Sequence, residues 1–295
     1  MTCNKEILIP AFAGEPDPAD ASNPSGTMPS TGRQWRTKRA ANRGPILRRT
    51  VAAIMGVIAI VGVVVASLKY GGSAMVSLVT IREQAMTIAN LEQIASALNA
   101  YAADHGAYPL PIVRDALGRP MHSWRVAILP YLNATELYQA YDLSKPWDDS
   151  ENLSLIDSMP PVFGTTNPGS WPNYESTYQL VVGDGTLFPV RGPLSPGRVT
   201  DDASKTALVV EARSPGANQS SPSPWTKPTE LDLTTMTGAI GSNPGVEIGG
   251  VTVGGAGIAT VDGSGHFLKE TTPPEVVRAI LTATGGEALA DDAMD

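Results

Sequence analysis

From Thr50 to Leu68 the chain runs for 19 residues without a charge, and only Thr50 and Ser67, at its ends, are polar. At 1.5 Å per residue such a run makes roughly 29 Å of helix, against about 30 Å of bilayer hydrocarbon. A soluble buried helix of that length would carry polar positions along its course. The run is therefore expected to be a transmembrane helix within residues 46–70. Its place in the chain fits a cleaved export signal, the spine of an assembling subunit or a permanent anchor.

The flanks orient it. Seven basic residues and no acidic one lie between Arg33 and Arg49, whereas only Lys69 follows the run directly. Cationic loops stay in the cytoplasm, so the expectation is a single-pass cell-membrane protein with its N-terminus cytoplasmic and its C-terminal domain extracytoplasmic. About 49 residues precede the run, more than a secretory signal needs, which favours an uncleaved anchor. Gly71 to Ala74 also offers the small residues of a cleavage site. Residues 1–45 read as a basic, disordered cytoplasmic tail, Pro-, Gly- and Ser-rich over its first 32 positions; an early start codon would read the same way.

Charge is unevenly divided. After Lys69 there are 12 basic and 25 acidic residues, so the exported part sits near −13. Nothing there offers the cationic footprint that a phosphate backbone requires, and nucleic acid is excluded as a partner. The membrane and unidentified proteins remain the expected partners. The one cysteine, Cys3, lies on the cytoplasmic side, so the exported domain has neither disulfide nor thiol chemistry.

The exported domain, 71–284, reads as α+β, with an acidic flexible tail at 285–295. Leu78, Ile81, Ala85, Ile88, Leu91, Ile94, Ala95, Leu98 and Tyr101 recur at three- and four-residue spacing, predicting a long amphipathic helix that Gly106, Pro109 and Pro111 end. Short helices are expected near Trp124, over Thr135–Tyr141 and in "SENLSLIDSMP", the last capped by Asp149 or Ser150. Beyond Pro160, "STYQLVVG", "TALVVEA", "VEIGGVTV" and "GIATVDG" read as strands, with a hairpin turn at Asp262-Gly263. Ser214–Thr229 reads as a surface loop, and "TPPEVVRAILT" as a final helix. Helices before strands predict an antiparallel sheet.

Chemistry-bearing motifs are sparse. His105, His122 and His266 have no zinc-like spacing, and no nucleophile, base and orienter can be named together, so no cofactor and no enzymatic activity are expected. His105, at a helix C-terminus, reads as a cap. Asp142, Asp148, Asp149 and Glu151, beside Trp147, form an oxygen-rich loop of the kind that can hold calcium, but the spacing lacks the EF-hand alternation and its central Gly, and capping of the next helix by Asp149 or Ser150 accounts for it. Glu211 ends an apolar strand and needs a partner, for which Arg125 and Lys227 are candidates. Trp124, Trp147, Trp171 and Trp225 either close the core or form a carbohydrate- or peptide-binding face. The candidate interaction surface thus comprises Trp124, Arg125, Trp147, Asp148, Asp149, Glu211, Trp225 and Asp262.

"ANLEQIASALNAYAADHGAYPLP", "GRPMHSWRVAILPYLNATELYQAYDLSKPWDDSEN", "TYQLVVGDGTLFP", "TDDASKTALVVEA" and "ATVDGSGHFL" occur in an order that resembles a large planctomycete family. That family carries a domain of unknown function (number 1559) and is described as pilin-like or type II secretion G-like. The resemblance spans Arg82 to Glu270 and implies a pilin-like α+β fold with a long N-terminal helix packed on a sheet; with the apolar run ahead of it, the expectation is a transmembrane helix continuing into a long amphipathic helix packed on an antiparallel sheet. It implies no activity. Three features depart from it. Gly44 is followed by Pro, Ile and two arginines instead of a prepilin site; Thr87 and Thr165 stand where relatives carry Cys; and Thr252 stands where many carry His. The expectation is a pilin-like structural or interaction protein kept at the membrane.

Overall fold

The computed structural model describes residues 78–164, 174–216, 223–290 and 292–294. The expected membrane helix, the basic tail, Cys3, Thr165 and Trp171 lie outside these residues. Among the described residues no helix is long and apolar enough to cross a membrane.

Helix α1 occupies 78–105 and ends where Gly106 takes φ +80° and donates to the Ala102 carbonyl at 2.8 Å. Only a residue without a Cβ adopts that conformation freely, so the glycine stop follows from local chemistry. The apolar stripe divides in two. From Leu91 onward Leu91, Ile94, Ala95 and Leu98 are wholly buried, whereas Leu78 and Ile81 are 67% and 62% exposed.

A hairpin follows, made of β1 (Ile112–Arg114) and β2 (Pro120–Ser123), with Val113 opposite His122. The sequence offered no strand pattern here, because three- and four-residue strands between prolines are too short to show alternation. Then come α2 (Trp124–Ala127), α3 (Thr135–Ala140) and α4 (Ser150–Leu153). The cap of α4 is Asp149, whose side chain accepts from Glu151 N at 3.0 Å.

Four strands form the main sheet, entirely antiparallel: β3 (Tyr178–Gln179), β5 (Ala207–Glu211), β7 (Gly255–Thr260) and β8 (Gly265–Lys269), in the order β3-β5-β7-β8. A separate parallel pair joins β4 (Val181–Val182) to β6 (Leu231–Asp232). All six residues of β7 are buried, which marks it as a central strand covered on both faces. Its side chains obey the two-residue period. Gly257 lies against Thr87 and Leu91 of α1, while Ala256 and Ile258 join Val277, Ile280 and Leu281 of α5 (Pro274–Leu281) in a second apolar cluster. Two glycines let α1 approach the sheet: a Cβ at Gly257 would come within 2.6 Å of Leu91 and Thr87, and one at Gly265 within 2.6 Å of Ile88.

The α+β class with an antiparallel sheet is thus observed, with three local corrections. Residues 246–253 are not a strand: Gly249 and Gly250 take φ +85° and +76°, turning the chain so that Gly249 N donates to the Glu211 carbonyl at 2.7 Å. The described part of Ser214–Thr229 is not all surface, since Ser223, Trp225 and Thr226 are buried. The expected frayed tail is held at its start, because Gly285 and Gly286 donate to Asp201 and Lys205 Nζ donates to the Leu289 carbonyl.

Candidate functional site

Strand β2 runs into α2 with no linker, because Ser123 is both the last strand residue and the helix cap, its hydroxyl accepting from Arg125 N. The corner forms one side of an open cavity of about 400 Å³ between β1, β2, α2 and α3. Val113, Met121, Val126, Ala127, Tyr138 and Leu143 supply its apolar walls, His122 one side, and Arg114 and Asp115 its charged rim.

His122 holds the wall together. Its Nε2–H donates to the Leu143 carbonyl at 2.8 Å, so Nδ1 of the neutral ring accepts from the Tyr141 hydroxyl at 3.3 Å. Burial depresses the imidazole pKa, more than the Leu143 carbonyl and Asp142 raise it. The ring therefore contributes a face, not a charge. At the rim, Asp115 accepts from Leu117 N and Arg119 N and pairs with Arg119 Nε at 2.6 Å, which holds its carboxyl below the usual range. Arg114 Nη1 donates to the Gly118 carbonyl at 2.9 Å and has no carboxylate partner among the described residues.

Half of the residues expected to form an interaction surface are inside. Trp124, Arg125, Glu211 and Trp225 are at most 1% exposed. Arg125 does not meet Glu211. Its Nη1 pairs with Glu230 Oε1 at 3.1 Å and donates to Ser123 Oγ at 2.8 Å, and its Nη2 donates to the Tyr178 carbonyl and to Gln179 Oε1. Glu230 also accepts from Trp124 Nε1 at 2.8 Å and from Leu180 N at 2.7 Å. Burial pushes its carboxyl up to about 7, against the downward pull of Arg125 and the N–H donors. Nothing in "TELDL" distinguished Glu230 from Glu211 as a buried acid, since both adjoin apolar strand residues.

Glu211 has a different set of partners: Gly257 N donates to Oε2 at 2.9 Å and the Thr252 hydroxyl donates to Oε1. Thr87 Oγ1 lies 3.2 Å from Thr252 Oγ1, so the two hydroxyls meet beside this carboxylate. Burial raises the Glu211 pKa. Trp225 stacks on Phe163 with ring centroids 5.9 Å apart. Trp147 is half-buried, with Lys227 Nζ 5.8 Å from its ring centroid, and Asp148 is exposed. Asp262 accepts from Thr260 and Ser264 within the β7–β8 turn. A tryptophan-built binding face is therefore not formed by Trp124 and Trp225, whose rings close the core.

The acidic loop is organised from within. Asn152 is fully buried and donates to the carbonyls of Asp142, Lys145 and Pro146, while Lys145 Nζ pairs with Asp142, Asp149 and Glu151. Among the described residues no group of three or more His, Cys, Asp or Glu is arranged to hold a metal ion. His105 caps its own helix, its Nδ1 lying 3.0 Å from the Tyr101 carbonyl.

The cavity was not legible in the sequence, where His122 stood out only as a lone histidine. All its lining residues fall between 113 and 143. No curated protein and no solved structure matches the chain. Residues 81–163, which contain most of α1, the β1–β2 hairpin and the whole cavity, match the family described as "Protein of unknown function (DUF1559)", the family that the quoted motifs resemble.

Proposed function

We propose that this chain is a membrane-anchored extracytoplasmic interaction protein of pilin-like build, which uses α1 to hold its α+β domain near the bilayer. The observation that carries this reading is the split in α1. From Leu91 to Leu98 the apolar face is buried in the core, while Leu78, Val79 and Ile81 on the preceding turns are more than half exposed, shortly after the apolar run ends at Leu68. Large apolar side chains left in water forgo about 25 cal/mol per Å², so adjacent exposed ones mark a surface meant to be covered. A bilayer interface or neighbouring apolar helices cover such a surface.

The role is display and interaction, without catalysis. The test is topological. Membranes from expressing cells are washed with carbonate, and spheroplasts are treated with protease from outside. The reading expects the chain in the washed pellet, an N-terminal tag protected and the C-terminal domain cut. Release into the wash, or loss of the tag with an intact domain, overturns it.

A further inference from the structure

We propose that the cavity between the β1–β2 hairpin, α2 and α3 binds a small monocarboxylate with an apolar body. This inference does not depend on the membrane anchor. The cavity measures about 400 Å³, within the range of small-molecule sites. At about 30 Å³ per liquid water that is the space of about 13 waters, enough for an organic molecule of about ten to fifteen non-hydrogen atoms.

The chemistry of the occupant follows from what the walls withhold. Val113, Met121, Val126, Ala127, Tyr138 and Leu143 offer apolar and aromatic surface. His122 is neutral, and both its nitrogens are engaged by the Leu143 carbonyl and the Tyr141 hydroxyl, so it adds a ring face. A polar or multiply charged guest would lose its hydration without compensation there. The rim carries the one specific handle. Asp115 is neutralised by Arg119, and Arg114 gives a single hydrogen bond to Gly118, leaving its other N–H donors for a guest. One guanidinium matches one carboxylate, which it can grip in a bidentate pair. A phosphate dianion would keep a net charge against an apolar floor.

The experiment uses the full chain, in lipid nanodiscs where it fractionates with membranes and in buffer where it does not, each against its own protein-free blank, and isothermal titration with 3-phenylpropionate and its neutral counterpart 3-phenylpropanol. Saturable one-to-one binding of the carboxylate is expected, at least about tenfold tighter than the alcohol, because a charge-assisted hydrogen bond is at stake. Arg114→Gln should bring the two ligands to equal affinity. Ala127→Leu, which fills the cavity, should abolish both. Arg114 is exposed, so its variant is not expected to disturb folding, and an unchanged melting temperature checks this. No saturable binding to the parent chain overturns the proposal, as does carboxylate affinity that Arg114→Gln leaves unchanged. If Ala127→Leu fails to fold, the Arg114→Gln comparison decides by itself.

Discussion

Replacing Arg125 by Met removes one partner of a fully buried ion pair and leaves the other in place. Glu230 would keep the N–H donors of Trp124 and Leu180 but lose the cation 3.1 Å away. Breaking such a pair from one side costs about 3–5 kcal/mol, because an uncompensated charge stays buried. For a domain of this size, about 2–4 °C per kcal/mol, the melting temperature should fall by about 6–20 °C. The pH dependence provides the sharper test. Burial already holds Glu230 at about 7, above its ordinary 4.5. A carboxyl raised by folding favours the protonated native state, so its contribution is complete below about pH 4.5 and is lost as pH rises through 7, by up to about 3 kcal/mol. Without Arg125 the carboxyl rises further, so the penalty of Arg125→Met should be large at pH 8 and small at pH 5. Circular-dichroism melts of parent, Arg125→Met, Glu230→Gln and the double variant at both pH values measure it. The double variant should be more stable than Arg125→Met at pH 8, since neutralising the orphan removes its cost. An Arg125→Met penalty equal at both pH values, or strict additivity within about 0.5 kcal/mol, refutes the reasoning.

Three further outcomes are expected. Gly257→Val drives a side chain into Thr87 and Leu91, whose atoms stand 2.6 Å from where its Cβ would lie, and overpacking of about 1–3 kcal/mol should lower the melting temperature and loosen α1 to hydrogen exchange. Thr252→Val removes the hydroxyl that donates to Glu211, whose pKa burial raises; stability should fall by about 1–3 kcal/mol near neutral pH and decline more steeply than the parent as pH rises above the ordinary glutamate value. In the acidic loop, Asn152→Ala should destabilise far more than Lys145→Ala, because the buried Asn152 amide shares its two N–H donors among three carbonyls and accepts from Asp142 N, whereas Lys145 pairs at the surface, and millimolar calcium should leave the melting temperature unchanged.

Features governed by neighbours in the chain were legible from the residues alone. The 3.6-residue stripe marked α1, Gly106 its end, Asp262-Gly263 the β7–β8 turn and Pro274 the start of α5, because each depends on backbone conformation within a few positions. The same local reasoning failed at 246–253, where Gly249 and Gly250 adopt positive φ to bring Gly249 N onto the Glu211 carbonyl; the alternating Val and Ile pattern could not reveal that contact.

Partner choice was decided only by tertiary structure. Glu211 was expected to pair with Arg125 or Lys227, but the fold brings Glu230 to Arg125 from 105 positions away and gives Glu211 the Thr252 hydroxyl and Gly257 N instead. Thr87 and Thr252, 165 positions apart, meet beside Glu211 for the same reason: strand order places their segments on one side of the sheet. The cavity exists because Ser123 ends a strand and caps a helix in one step, folding apolar residues that would otherwise read as core around an open space. Local propensity sets the elements and the chemistry each residue must satisfy. Which residues satisfy it is set by long-range packing, where burying a charge is costly enough to select one partner among several of the same type.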